Sequence, residues 1–171
     1  TLHRALYAFD RHTLGKIKIH PISFFQPEED ENIHLTIWDG YFVTFLFPFM
    51  DEMPNYQHFD EALSPEHKKR IMTFYKSMLQ RHMYATGKKY FVAKNPAFSP
   101  KIATLTEFFP DARILYLARN PLDMLPSTIS WINYARRQFT EPSAGYHYIE
   151  EILDMTQHWY RYPLSYLDAH P

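Results

Sequence analysis

FPDARILYLARNPLDMLPSTIS, from Phe109 to Ser130, changes period in its middle. Ile114 to Ala118 is an apolar run with no solvated face, bounded by Pro110 and Pro121, as in a short strand buried on both sides. Beyond it, Leu122, Leu125, Ile129 and Ile132 recur at the spacing of an amphipathic helix. Arg119, Asn120 and Pro121 sit at the junction. An Arg at the carboxyl end of a buried strand, facing a helix N-terminus, stands where open α/β sheets bind anions. Either Asn120 or Asp123 can cap the helix. With Asn120 as cap, Pro126 falls just past the first turn, where a missing N–H is awkward, and a cap at Asp123 avoids this. Ser127 lies early in the helix on either reading, and its hydroxyl can join free N–H groups in holding an anion.

Working upstream, Tyr90 to Ala93 has the pattern of a second short buried strand, flanked by Lys89 and Lys94. KNPAFSPKI then turns into a helix with Ser99 as cap and Pro100 at its first position, so that Ile102, Leu105 and Phe109 face a sheet. Strand, short helix, strand is the βαβ unit, which crosses over right-handed and makes parallel neighbours. That topology brings Lys94 and Arg119 to one edge. The expected architecture is therefore α/β.

The rest of the chain is mostly helical in pattern. Ser64 caps, Pro65 opens and Gly87 ends a long helix whose apolar face carries Ile71, Phe74, Tyr75, Met78, Leu79, His82 and Met83. His82 reads as a core histidine, and Lys68, Lys69 and Arg70 as the wet side. Leu2 to His12 fits a short amphipathic helix, Ile17 to Phe25 an extended segment, and Asp51 to Asp60 a loop. Ile37 to Met50, aromatic and apolar without a clear period, is either a buried helix or a hydrophobic wall facing a substrate. The acidic run Pro27 to Glu31 reads as a solvated helix start, or else it turns Glu28 or Glu29 into a cleft as a proton acceptor. Tyr146 to Ala169 is helical with a break or kink at Pro163.

Composition narrows the function classes. A net charge of -1 provides no global field for nucleic acid or an anionic membrane, so any phosphate affinity is local. The absence of cysteine removes disulfides and thiolate metal sites. Four glycines, spread as Gly15, Gly40, Gly87 and Gly145, cannot make a GxxxxGK[ST] or GxGxxG loop. The histidines show no HxxxH or HExxH spacing, so no metal site is expected, and no serine sits in a GxSxG elbow. The longest apolar run, Tyr41 to Met50, is too short to cross a bilayer.

The charged residues each carry two readings. The Arg119 fork matches a phosphate bidentately, or pairs with Asp123 one helical turn on. Lys94 steadies a transferring anionic group, or is an ordinary charged strand terminus.

RNPLDMLPS, Arg119 to Ser127, resembles the 3′-phosphate-binding signature of sulfotransferases that use PAPS (3′-phosphoadenosine 5′-phosphosulfate). KNPAFSPKIATLTEFFPDARILYLARNP is similar to the matching stretch of the bacterial and Golgi-type family, and the similarity extends from about Pro27 to Ser130. The resemblance implies a three-layer, parallel-sheet fold of the P-loop-NTPase type, with residues 1–171 as a single partial domain. It implies transfer of a sulfuryl group from PAPS to a hydroxyl or amine, leaving PAP (adenosine 3′,5′-bisphosphate). By position, Arg119 and Ser127 bind the 3′-phosphate and Lys94 stabilises leaving-group charge. The acceptor would be a small molecule, lipid or carbohydrate, with no nucleic acid and no metal, and oligomers are compatible. A bacterial protein of this kind would be cytoplasmic, a eukaryotic one Golgi-luminal.

Two departures bear on activity. The loop that grips the 5′-phosphosulfate should lie before Thr1, and sequence closing the cofactor site after Pro171. Phe98 stands where many relatives place a histidine, so Glu29 or Glu28 is the expected base. The alternatives are a non-catalytic relative binding a partner through Tyr41–Met50, or another P-loop-type transferase or kinase.

Overall fold

The computed structural model describes residues 2–12, 23, 25, 28–47, 53–137 and 149–170. The order is α1 (Leu2–His12), α2 (Asn32–Leu35), α3 (Val43–Leu46), a 3-10 turn Tyr56–His58, α4 (Phe59–Ala62) and α5 (Pro65–Thr86). A second 3-10 turn, Pro96–Lys101, runs into α6 (Ile102–Phe108), and α7 (Pro121–Arg136) and α8 (Ile149–Ala169) follow.

The α5 helix starts and stops where local chemistry dictates. The Ser64 hydroxyl accepts from the His67 N–H, Pro65 fills the first turn where no N–H is needed, and Gly87 takes the left-handed conformation at φ 65°. Ile71, Met72, Tyr75 and Leu79 form its buried stripe. Around that stripe gather Tyr41, Tyr56, Phe59 and Leu63, with Ile132 from α7 and Ile152 and Met155 from α8. His82 is exposed rather than in the core, one turn beyond the buried stripe, where its ring edge meets Phe91 at 5.8 Å.

The parallel-sheet α/β expectation is overturned. Among the described residues no strand forms. Residues 90–93 and 114–118 are irregular backbone without ladder partners, and Val92, Leu115 and Leu117 are 92%, 81% and 74% exposed. An apolar run becomes a buried strand only when neighbours satisfy its N–H and C=O groups and cover its faces. Neither segment has such neighbours among the described residues, so the βαβ unit is not made there.

Other local expectations shift as well. Asn95, not Ser99, caps the Pro96–Lys101 turn, its Oδ1 accepting from Ala97 N–H at 2.9 Å, and Pro100 lies inside that turn. Asp51 to Asp60 is not all loop, since Tyr56–His58 and then α4 are helical. Tyr41, Phe42 and Phe45 belong to the core rather than to an open substrate wall, and residues 48–50 lie outside the described residues. Most of Ile17 to Phe25 lies outside them too. Pro163 is accommodated within α8.

Long side chains tie these helices together. Lys76 Nζ donates to the Phe108 carbonyl at 2.9 Å, satisfying an orphan acceptor at the end of α6. Asp60 accepts from Ala103 N, Thr104 N and Thr104 Oγ1 of α6 and from Tyr162 Oη of α8.

Candidate functional site

Arg119 ends the extended segment before α7, and its backbone is anchored: Tyr160 Oη of α8 donates to the Arg119 carbonyl at 2.9 Å. Its side chain is exposed and forms no ion pair with Asp123 among the described residues. Asn120 is the cap of α7, with Oδ1 accepting from Leu122 N–H at 3.1 Å. The Asn120 carbonyl also takes the Asp123 and Met124 N–H groups, at 3.1 and 3.0 Å. Pro121 has no N–H. The opening amides of α7 are therefore already satisfied, contrary to the expectation that free N–H groups assist an anion there. Pro126 sits inside the helix, where it supplies no N–H to the Leu122 carbonyl one turn back, and Leu122 is 82% exposed.

Ser127 is exposed on α7, seven residues beyond the cap. At 100° per residue this returns it to within about 20° of the Asn120 face, about 10 Å along the axis. An anion at this end of α7 would depend on side chains rather than on these amides.

Lys94 and Glu29 meet. Nζ of Lys94 lies 2.8 Å from Oε1 of Glu29, the lysine 75% exposed and the glutamate 18%. Glu28 is committed elsewhere, its Oε1 accepting from the Ser23 N–H at 2.8 Å. Phe98, at the position where a histidine was looked for, packs edge-on against Tyr75 at 5.9 Å and serves the core.

Beneath this pair lies a network that sequence reasoning missed. Glu31 was read as part of a solvated helix start, yet it is fully buried. Its Oε1 accepts from Tyr41 N–H at 2.8 Å, and its Oε2 from the buried Lys101 ammonium at 2.7 Å. His34 Nδ1 stands 3.3 Å from the same oxygen. Burial alone would raise the Glu31 carboxyl; the Lys101 charge, then His34, outweigh it and hold the group at about 2. Next to it, burial raises Asp30 despite a hydrogen bond from Tyr75 Oη. Glu31 and Asp30 thus root the segment that presents Glu29. Nothing in the local sequence signals the Glu31–Lys101 contact, because the partners are 70 residues apart.

The chain belongs to the sulfotransferase family, whose model matches residues 5–170. Among curated proteins it is similar to the omega-hydroxy-beta-dihydromenaquinone-9 sulfotransferases Stf3 of Mycobacterium bovis and Mycobacterium tuberculosis. Each is 30% identical over 118 residues, 63% of this chain and 28% of the relative. The chain thus spans well under half the length of those relatives. No solved structure matches it. No helix among the described residues is long and apolar enough to cross a membrane.

Proposed function

We propose that the protein transfers a sulfuryl group from PAPS to an acceptor hydroxyl, with this chain carrying the 3′-phosphate half of the cofactor site. The observation that carries this reading is the pair Arg119 and Ser127. Both are exposed, Arg119 just ahead of α7 and Ser127 two turns into it, and the opening amides of that helix are taken up by Asn120. The Arg119 fork would grip the 3′-phosphate through two charge-assisted hydrogen bonds, and Ser127 would donate a third.

In the transfer itself, the Glu29 carboxylate takes the proton from the acceptor hydroxyl. The acceptor oxygen forms its bond to sulfur as the bond from sulfur to the phosphate oxygen breaks. The Lys94 ammonium balances the charge that collects on the departing phosphate, and PAP leaves. An ion pair as exposed on its lysine side as Lys94–Glu29 contributes only about 0–1 kcal/mol, so the two groups can separate to take these roles. Glu28, held by the Ser23 amide, is the lesser candidate. The related Stf3 proteins are named for a hydroxylated dihydromenaquinone, which favours a hydroxyl on an apolar, lipid-like acceptor over an amine.

Calorimetric titration with PAP tests the cofactor assignment. Binding to the full-length protein that Arg119→Ala weakens by about 1.5–3 kcal/mol is the expected result. Equal affinity in parent and variant would remove Arg119 from the site.

A further inference from the structure

His58, at the end of the first 3-10 turn, and His158, in α8, lie far apart in sequence and stack in the fold. Their ring centroids are 4.0 Å apart with 30° between the planes. Both rings turn Nδ1 toward one carboxylate oxygen, Oε2 of Glu61, at 3.6 Å from His58 and 3.9 Å from His158. Neither distance is a hydrogen bond. On its other side His58 is fixed: Nε2 lies 2.7 Å from Asp154 Oδ2. An ionised carboxylate only accepts, so Nε2 carries the hydrogen and the Nδ1 of the neutral ring keeps its lone pair toward Glu61. A carboxylate behind a ligating imidazole is the usual arrangement for orienting a metal-binding histidine.

We propose that the protein binds a divalent transition-metal ion, with zinc the best match, between His58 Nδ1, Glu61 Oε2 and His158 Nδ1. Asp154 orients His58 from behind. The three donor atoms lie within 4.8 Å of one another. A tetrahedral zinc ion with bonds of about 2.0–2.1 Å needs donors about 3.4 Å apart. Glu61, 58% exposed at the surface, can close its own few tenths of an ångström to each imidazole by a side-chain rotation, and the two rings come to the metal by turning about their own side-chain bonds. Two imidazoles and one carboxylate suit zinc, cobalt, nickel or copper, and not the oxygen-seeking magnesium or calcium. The local charge also fits. Glu61 and Asp154 bring two carboxylates to the pair of rings, while the nearby Asp60 is occupied by α6 and Tyr162. Three protein ligands leave a fourth position open to solvent. The ion clamps the α4 turn to α8 across most of the length of the chain.

The test is titration of the metal-stripped, full-length protein with Co²⁺, followed by its visible absorption. The expected result is one Co²⁺ per chain with the strong band of four-coordinate cobalt, displaced by equimolar Zn²⁺ and untouched by excess Mg²⁺. Glu61→Gln and His158→Gln each weaken binding at least tenfold, while His82→Gln, an exposed histidine of α5, leaves it unchanged. Absence of the four-coordinate band overturns the proposal. So does unchanged affinity in Glu61→Gln, a surface substitution that keeps the fold and decides the matter even if His158→Gln does not fold.

Discussion

Lys101 donates to Glu31 at 2.7 Å where the lysine is 2% exposed and the glutamate 0%, so both charges have left water completely. Lys101 Nζ also stands 5.1 Å from the centre of the Phe59 ring, which surrounds the ammonium with apolar material on its far side. Desolvation of two ions is costly, and their mutual attraction, with the Tyr41 amide, Asn95 and the adjacent His34 around the carboxylate, offsets it. Lys101→Met therefore strands a buried carboxylate and should cost about 3–5 kcal/mol. The double variant Glu31→Gln with Lys101→Met should be clearly more stable than Lys101→Met alone. Urea unfolding of the parent, the two single variants and the double variant checks this, and a strictly additive double variant contradicts it.

The same carboxyl sets an acid limit. Its folded value of about 2 lies below the ordinary 4.5, so its contribution is complete above the ordinary value and is lost as pH falls through the folded one. The contribution is about 3 kcal/mol. Denaturant midpoints measured from about pH 5 down to about pH 2 should fall steeply in the parent, and less steeply in Glu31→Gln.

Gly40 is required by close approach. A Cβ there would come within 2.5 Å of the His34 Cβ and 3.0 Å of Glu31 Oε1. Gly40→Ala must push one of them aside, and should cost about 1–3 kcal/mol by overpacking. Gly87 presents the opposite case, with nothing within 4 Å of an added Cβ and φ at +65°. Gly87→Ala should cost about 1–2 kcal/mol through backbone strain alone, and Gly87→Asn less, since Asn tolerates that conformation. Thermal unfolding of the three variants separates the two mechanisms.

Glu29→Gln keeps the size of the side chain and removes the ability to take a proton. Turnover in the full-length protein should fall at least about a hundredfold with PAP affinity unchanged. If Glu28→Gln produces that loss and Glu29→Gln does not, the base has been assigned to the wrong neighbour.

What could be read from the sequence follows from the range of the interactions involved. Ser64, Pro65 and Gly87 define α5 through contacts within a turn of themselves, and each does what its type predicts. Asn120 as the cap of α7 was one of two readable options. The two apolar segments were misread, because their composition shows that they suit burial but not whether anything covers them. Val92 and Leu117, both largely exposed, illustrate the gap. Glu31 was misread for the complementary reason. It sits among acids that look solvated, and only the fold brings Lys101 to it. The His58–His158 stack was equally hidden, since no spacing rule joins residues so distant in sequence. For Arg119, Ser127 and Lys94 the family resemblance supplied the residues and Glu29 entered as a substitute for a histidine, while the contact between Lys94 and Glu29 came only from the coordinates.

α8 reaches back over nearly everything before it. Glu151 accepts from Gln57, Trp159 donates to the Gln57 carbonyl, Tyr162 to Asp60, Tyr160 to the Arg119 carbonyl, and Tyr166 pairs with Thr106. These links can form only after residues 149–169 have left the ribosome. A nascent chain that has already made α5 and α7 therefore waits, with Ile132 and Tyr41 uncovered, for α8. α8 thus completes this core and secures Arg119, and a stop codon placed ahead of it would leave both open.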